Sequence, residues 1–200
     1  LVDTVRAELR PGLDVRGLKT RSDFNGSLTF RIGNVLATAP SAAAIVDHDT
    51  GISMMESGAI LLYLAKKTGQ FMPQSEPTNW AVLEWLMMQM ATVGPMLGQT
   101  HHFHYFNPGK SEYAEERYLN ENARIYGVLD KRLEQSDFLA GEYSIADIAT
   151  WPWIARYERQ KVHWPSFPNL RRWYLQIAER PAVQRGYDIP KKAEDIPIPD

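Results

Sequence analysis

Two hundred residues are enough for one large domain or two small ones, and a 44% hydrophobic share with 11% aromatics supports a packed core rather than disorder. The net charge of −2 argues against nucleic acid or an anionic membrane as the main partner, and no apolar run approaches the ~18 residues of a membrane span. With no cysteine, the chain has no disulfide, no thiolate metal ligand and no nucleophilic thiol of its own, so any thiol chemistry must use a ligand's thiol.

Leu1, Val5 and Leu9 recur at four-residue spacing, which predicts a helix over 1–10, ended by Pro11-Gly12. Asp3, Arg6, Glu8 and Arg10 interrupt any signal-peptide core there, and a cytoplasmic protein is expected. "LDVRGL" reads as a short strand and "SLTFRIG" alternates like one, whereas "ATAPSAAA" is featureless. "AAIVDHD" predicts a strand running into a turn at Thr50-Gly51, with "GISMME" as its partner. From Ser57 onward, Ile60, Leu61, Leu64 and Ala65 form an apolar helical stripe, which Gly69 stops.

This first part, 1–70, is therefore α/β, and the proline-bearing 71–79 reads as a linker. Residues 80–200 read as all-helical. Val82, Trp85, Leu86, Met90 and Val93 share one helical side, and Ala114, Tyr118, Ile125, Leu129 and Leu133 share another. Ser144 and Asp147 make a capping box for a helix in which Pro152 is expected to produce a kink. "NLRRWYLQIAER" predicts a further helix, Pro181 opens a last short one, and the end of the chain reads as an extended tail.

At Glu56-Ser57-Gly58 a strand hands over to a helix. A helix start offers unpaired N–H donors and partial positive charge, which suit a carboxylate. Ser57 adds a hydroxyl, Gly58 permits close approach, and Glu56 can accept from an ammonium group. The triplet suits a ligand with an α-amino and an α-carboxylate group, such as an amino acid or a γ-glutamyl group. A plain helix cap would use the same residues.

"AIVDHDTGISMMESGAILLYLAKKTGQFMP", "GPMLGQTHHFHYFNPGKSEYAEERY", "YSIADIATWPWIARYE" and "FPNLRRWY…ERPAVQRGY" follow one another in an order that resembles bacterial glutathione transferases. The resemblance spans residues 44–188 and is strongest to the nu class, known as glutathione-dependent disulfide-bond reductases. It implies a thioredoxin-like N-terminal domain, an all-α C-terminal domain, a homodimer and glutathione as co-substrate. Glu56 and Ser57 match the pair that holds the γ-glutamyl end of glutathione, and Ala42 matches the residue whose backbone pairs with its cysteinyl part. Arg117 matches an arginine that contacts glutathione, and a guanidinium suits a carboxylate. An ion pair with a neighbouring chain or surface group is the other reading of Arg117.

Two departures from the family pattern stand out. The family has a cis-proline where this chain has Ala43. The family also opens with a strand and a T-x-N-G-like turn whose Thr and Asn activate the thiol. Counting back from Ala43, this chain is expected to start near the first helix, with that strand missing or divergent, and Asn25 in "DFNGS" lies too close to Ala43 to replace the turn. No catalytic residue is assigned.

"HHFHYF" offers His101, His102 and His104, but without a carboxylate at ligand spacing no metal is expected. In the resembling family this segment faces the cleft, which implies a second-substrate wall of Gln99, His102, Phe103 and Tyr105, with aromatic packing between helices as the alternative for Phe103 and Phe106. The "WLMMQM" methionines read as core or dimer packing. The expected function is thiolate attack by bound glutathione on a small disulfide or electrophile. The alternatives are a non-catalytic glutathione-binding or regulatory protein of the same fold, or an inactive structural subunit.

Overall fold

The computed structural model describes residues 28–32, 35–39, 44–47, 49–187 and 195–199. The helix expected over 1–10, the "LDVRGL" strand, Asn25, Ala42 and Ala43 lie outside them. The chain divides into two compact units: one runs to Gln70 and includes Pro181–Asp195, the other is Phe71–Arg180 with Ile196–Asp200.

In the first unit, β1 (Leu28–Ile32), β2 (Val35–Ala39), β3 (Ala44–Asp47) and β4 (Ser53–Met55) pair in chain order, every pair antiparallel. Leu28 faces Ala39, Val35 faces Asp47 and Ile45 faces Met54. The stretch that looked featureless thus contributes Ala37–Ala39 to β2, where pairing with β1, and at Ala37 with β3 as well, overrides weak local propensity. The β3–β4 turn closes through Gly51 N–H to Asp47 O and Asp47 N–H to Ile52 O, both 2.8 Å. Gly51 takes φ 73°, open to glycine, and the Asp47 side chain accepts from the Asp49 N–H at 2.9 Å.

Helix α1 (Ser57–Thr68) follows β4 directly. Its buried face is Gly58, Ile60, Leu61, Leu64 and Ala65, and it ends on Gly69 in the left-handed region. Helix α7 (Pro181–Tyr187) belongs to the same unit, with Ala182 and Val183 buried.

The second unit begins its helices inside the stretch read as linker: α2 spans Glu76–Met88, with Ser75 at its N-cap position and Pro77 in its first turn. Proline is accommodated there because its missing N–H would have had no helical partner. A π turn (Gln89–Val93), α3 (Gly94–Thr100) and a second π turn (His101–Phe106) carry the same rod onward. The first π turn adjusts the stripe, so the buried positions run Leu86, Gln89, Val93, Leu97, while Trp85 and Met90 are only half-buried.

Helix α4 (Glu112–Leu133) buries Ile125, Tyr126, Leu129 and Leu133. Helix α5 (Ile145–Ile154) is buried almost throughout, and α6 (Pro168–Ala178) completes the core with Leu170, Trp173, Tyr174 and Ile177. Trp151 stacks on Tyr174 at 5.2 Å.

The capping box of α5 is present: Asp147 Oδ2 accepts from the Ser144 N–H at 3.0 Å, and Ser144 Oγ accepts from the Ala146 N–H at 3.3 Å. Asp147 Oδ1 also accepts from Trp173 Nε1 at 2.8 Å and the Leu139 N–H at 3.0 Å, which ties the start of α5 to α6 and to the chain before it. Among the described residues, no helix is long and apolar enough to cross a membrane.

Candidate functional site

At the β4–α1 junction the structure puts Glu56, not Ser57, at the N-cap position. Glu56 is exposed, its side chain makes no cap hydrogen bond, and its backbone sits at φ 72°, ψ 123°. A non-glycine residue at positive φ costs of order 1–3 kcal/mol and persists only where its surroundings enforce it. Here the enforcing elements are strand β4 on one side and the buried Gly58 and Ile60 on the other. The strain aims an uncommitted carboxylate outward beside the helix start, where the first N–H groups have no helical acceptor.

A polar cluster fixes α1 to the hairpin before it. The buried Asp47 carboxylate accepts from the Tyr63 hydroxyl and from Lys67 Nζ at 2.5 Å, and Lys67 also reaches Asp49 at 3.1 Å. Burial pushes the Asp47 carboxyl up, but the Lys67 and Tyr63 hydrogen bonds outweigh it and hold the group well below the usual carboxylate range. Sequence reasoning missed this cluster. Its one signal was Tyr63 and Lys67 at i, i+4 on a helix that follows an Asp-containing turn.

The second unit presents a cavity of about 610 Å³ lined by Met96, Tyr113, Arg117, Tyr118, Glu121 and Arg124, among others. Arg124 clamps Glu121 with Nε to Oε2 at 2.8 Å and Nη2 to Oε1 at 2.6 Å. Chiefly through that hydrogen bonding, Arg124 lowers the Glu121 carboxyl. Arg117, one turn earlier and exposed, has no ion-pair partner among the described residues, and Glu116 beside it also lines the cavity.

Of the residues expected to wall a second substrate, Phe103 touches this cavity's lining through Tyr118. Phe103 stacks on Tyr118 at 5.5 Å, and His102 meets Phe103 edge-on at 4.8 Å. Gln99, His102 and Tyr105 are exposed, whereas Phe103 is half-buried in that aromatic packing. The three histidines diverge: His101 turns inward, with Nε2 2.9 Å from Gln160 Nε2, while His104 Nε2 donates to the Glu115 carbonyl at 3.0 Å. Among the described residues, no three His, Asp or Glu side chains form a group that could hold a metal.

Comparison with known proteins gives the family. The glutathione S-transferase C-terminal domain matches residues 87–181. The disulfide-bond oxidoreductase YfcG of Escherichia coli is 50% identical over 146 residues, 70% of this chain and 68% of that protein. The chain belongs to the glutathione transferase family. The disulfide-bond oxidoreductase YghU of Escherichia coli is 40% identical over 147 residues, 70% of this chain and 51% of its own length, so the chain spans about half to two thirds of these relatives. A glutathione transferase from Pseudomonas putida, solved with one glutathione disulfide per subunit, superposes with a TM-score of 0.70 at 42% identity, covering 76% of this chain and 70% of that one. The glutathione transferase domain match contains Arg117, the aromatic wall and the Ser144–Asp147 box.

Proposed function

We propose that the chain is a glutathione-dependent disulfide-bond oxidoreductase, with residues 1–70 as a thioredoxin-like, glutathione-binding domain and 80–200 as the helical domain. The observation that carries this reading is Glu56, held at positive φ with its carboxylate free at the start of α1. Kinship to two disulfide-bond oxidoreductases supports it.

The α1 N-terminus and Ser57 receive the γ-glutamyl carboxylate, Glu56 accepts from the α-ammonium group, and the Ala42 backbone pairs with the cysteinyl part. Arg117 offers its guanidinium to a glutathione carboxylate. The glutathione thiolate attacks one sulfur of the substrate disulfide, the S–S bond breaks, and the leaving thiolate takes a proton. A second glutathione thiolate then attacks the mixed disulfide and releases glutathione disulfide and the second thiol, so two glutathiones are oxidised for each disulfide reduced. Gln99, His102, Phe103 and Tyr105 wall the second-substrate side. A cytoplasmic location, where glutathione is kept reduced, fits this chemistry.

A homodimer is part of the proposal. Trp80 is 63% and Met87 49% exposed on α2, around a shallow apolar surface with Pro77 and Leu83. A Trp80→Glu variant is expected to halve the mass measured by light scattering, and an unchanged mass removes this face from the interface. The activity itself is tested by glutathione-coupled reduction of 2-hydroxyethyl disulfide, with a non-catalytic binding protein as the outcome that opposes it.

A further inference from the structure

Two arginines stand beside the proposed second-substrate wall, and the family resemblance assigns them nothing. Arg156 precedes and Arg159 lies within a 3₁₀ turn, Tyr157–Gln160, closed by the Arg159 N–H on the Arg156 carbonyl at 2.9 Å. Arg156 stands at the N-cap position, with φ −101° and ψ 19°, and both arginines lie close enough to His101 for their charges to act on it.

The turn is anchored from within. Gln160 is fully buried, its amide donates to the Trp153 carbonyl at 2.9 Å and meets His101 Nε2 at 2.9 Å, and its side-chain oxygen accepts from the Tyr126 hydroxyl at 2.5 Å. Asn122 donates to the Gln160 carbonyl at 2.7 Å. The arginines therefore project from a rigid base.

Arg159 sits over Tyr105, its guanidinium carbon 4.8 Å from the centre of a ring that is 52% exposed. A cation–π contact of this kind uses no N–H acceptor, so the guanidinium keeps donors for an anion. Among the described residues, neither arginine pairs with a carboxylate, although Glu158 sits between them in sequence. Burial, together with the charges of Arg159 and Arg156, pushes His101 down to about 4, so the neighbouring imidazole adds no third charge at neutral pH.

We propose that Arg159, seconded by Arg156, determines specificity for disulfides that carry a carboxylate, by binding that carboxylate at the Tyr105 edge of the second-substrate wall. This rests on reading Gln99, His102, Phe103 and Tyr105 as that wall.

The test uses two disulfides of matched size, the dianion dithiodiglycolate and neutral 2-hydroxyethyl disulfide, each assayed with glutathione on the wild type, Arg159→Gln, Arg159→Lys and Arg156→Gln. The ratio of kcat/KM for the diacid over the neutral disulfide should fall about tenfold in Arg159→Gln, less in Arg156→Gln, and recover largely in Arg159→Lys. A ratio unchanged in Arg159→Gln, with both substrates equally affected, overturns the proposal and reduces Arg159 to a support for Tyr105. Calorimetric titration of dithiodiglycolate, without glutathione, separates this from failure of the catalytic reading. If the wild type reduces neither disulfide, the catalytic reading falls, while weaker diacid binding by Arg159→Gln still supports the arginine site and equal binding overturns it.

Discussion

Arg124 holds both carboxylate oxygens of Glu121, at 2.8 and 2.6 Å, and so keeps Glu121 from closing on Arg117 one turn earlier. Arg117→Ala is expected to raise the KM for glutathione about tenfold, the cost of one charge-assisted contact. Arg124→Ala should act in the same direction but less, because the released Glu121 can pair with Arg117 at i, i+4. Unchanged KM in Arg117→Ala would assign that arginine to an ion pair with another chain.

Glu56 sets stability against binding. Glu56→Gly removes the strain at φ 72°, which offsets the greater freedom glycine gives the unfolded chain. The variant is expected to equal or exceed the wild type in stability by up to about 1 kcal/mol and to bind glutathione at least about tenfold more weakly. Chemical denaturation paired with glutathione titration reads both, and a variant that is less stable and binds normally contradicts the assignment.

The fold was legible where one element decided its own fate. Ile60, Leu61, Leu64 and Ala65 announced α1, Gly69 its end, and Ser144 with Asp147 the start of α5. Strand β2 was not legible, because Ala37–Ala39 are strand only through pairing with β1 and, at Ala37, with β3. Nor were the π turns read, although Pro95, which has no N–H to give the Ala91 carbonyl, stands just after the first of them. Glu56 and Ser57 could be picked out as residues, but the positive φ of Glu56 could not, since without glycine the chain carries no sign of it. The Asp47–Tyr63–Lys67 cluster and the Arg159–Tyr105 stack join residues far apart along the chain, which a periodicity reading does not connect.

The Asp47 cluster makes stability depend on acid. Its carboxyl is held below its ordinary 3.8 in the folded chain, so near pH 4 the unfolded chain binds more protons. The stabilisation is present above about pH 4 and is lost as pH falls further. Lys67→Met should cost about 1–3 kcal/mol at pH 7, a value discounted because Lys67 is one-third exposed. The deficit should shrink toward pH 3 as Asp47 takes up its proton. Urea unfolding at both pH values checks this, and an equal deficit at each would show that Lys67 contributes by packing alone.

The central claim is that bound glutathione reduces a disulfide. The most direct measurement is reduction of 2-hydroxyethyl disulfide by glutathione, coupled to a reductase that reports glutathione disulfide, run beside the melting temperature with and without glutathione. Turnover well above the uncatalysed exchange, together with a raised melting temperature, is the predicted result. No turnover, with glutathione still raising the melting temperature, would contradict it and leave a protein that binds glutathione without using its thiol.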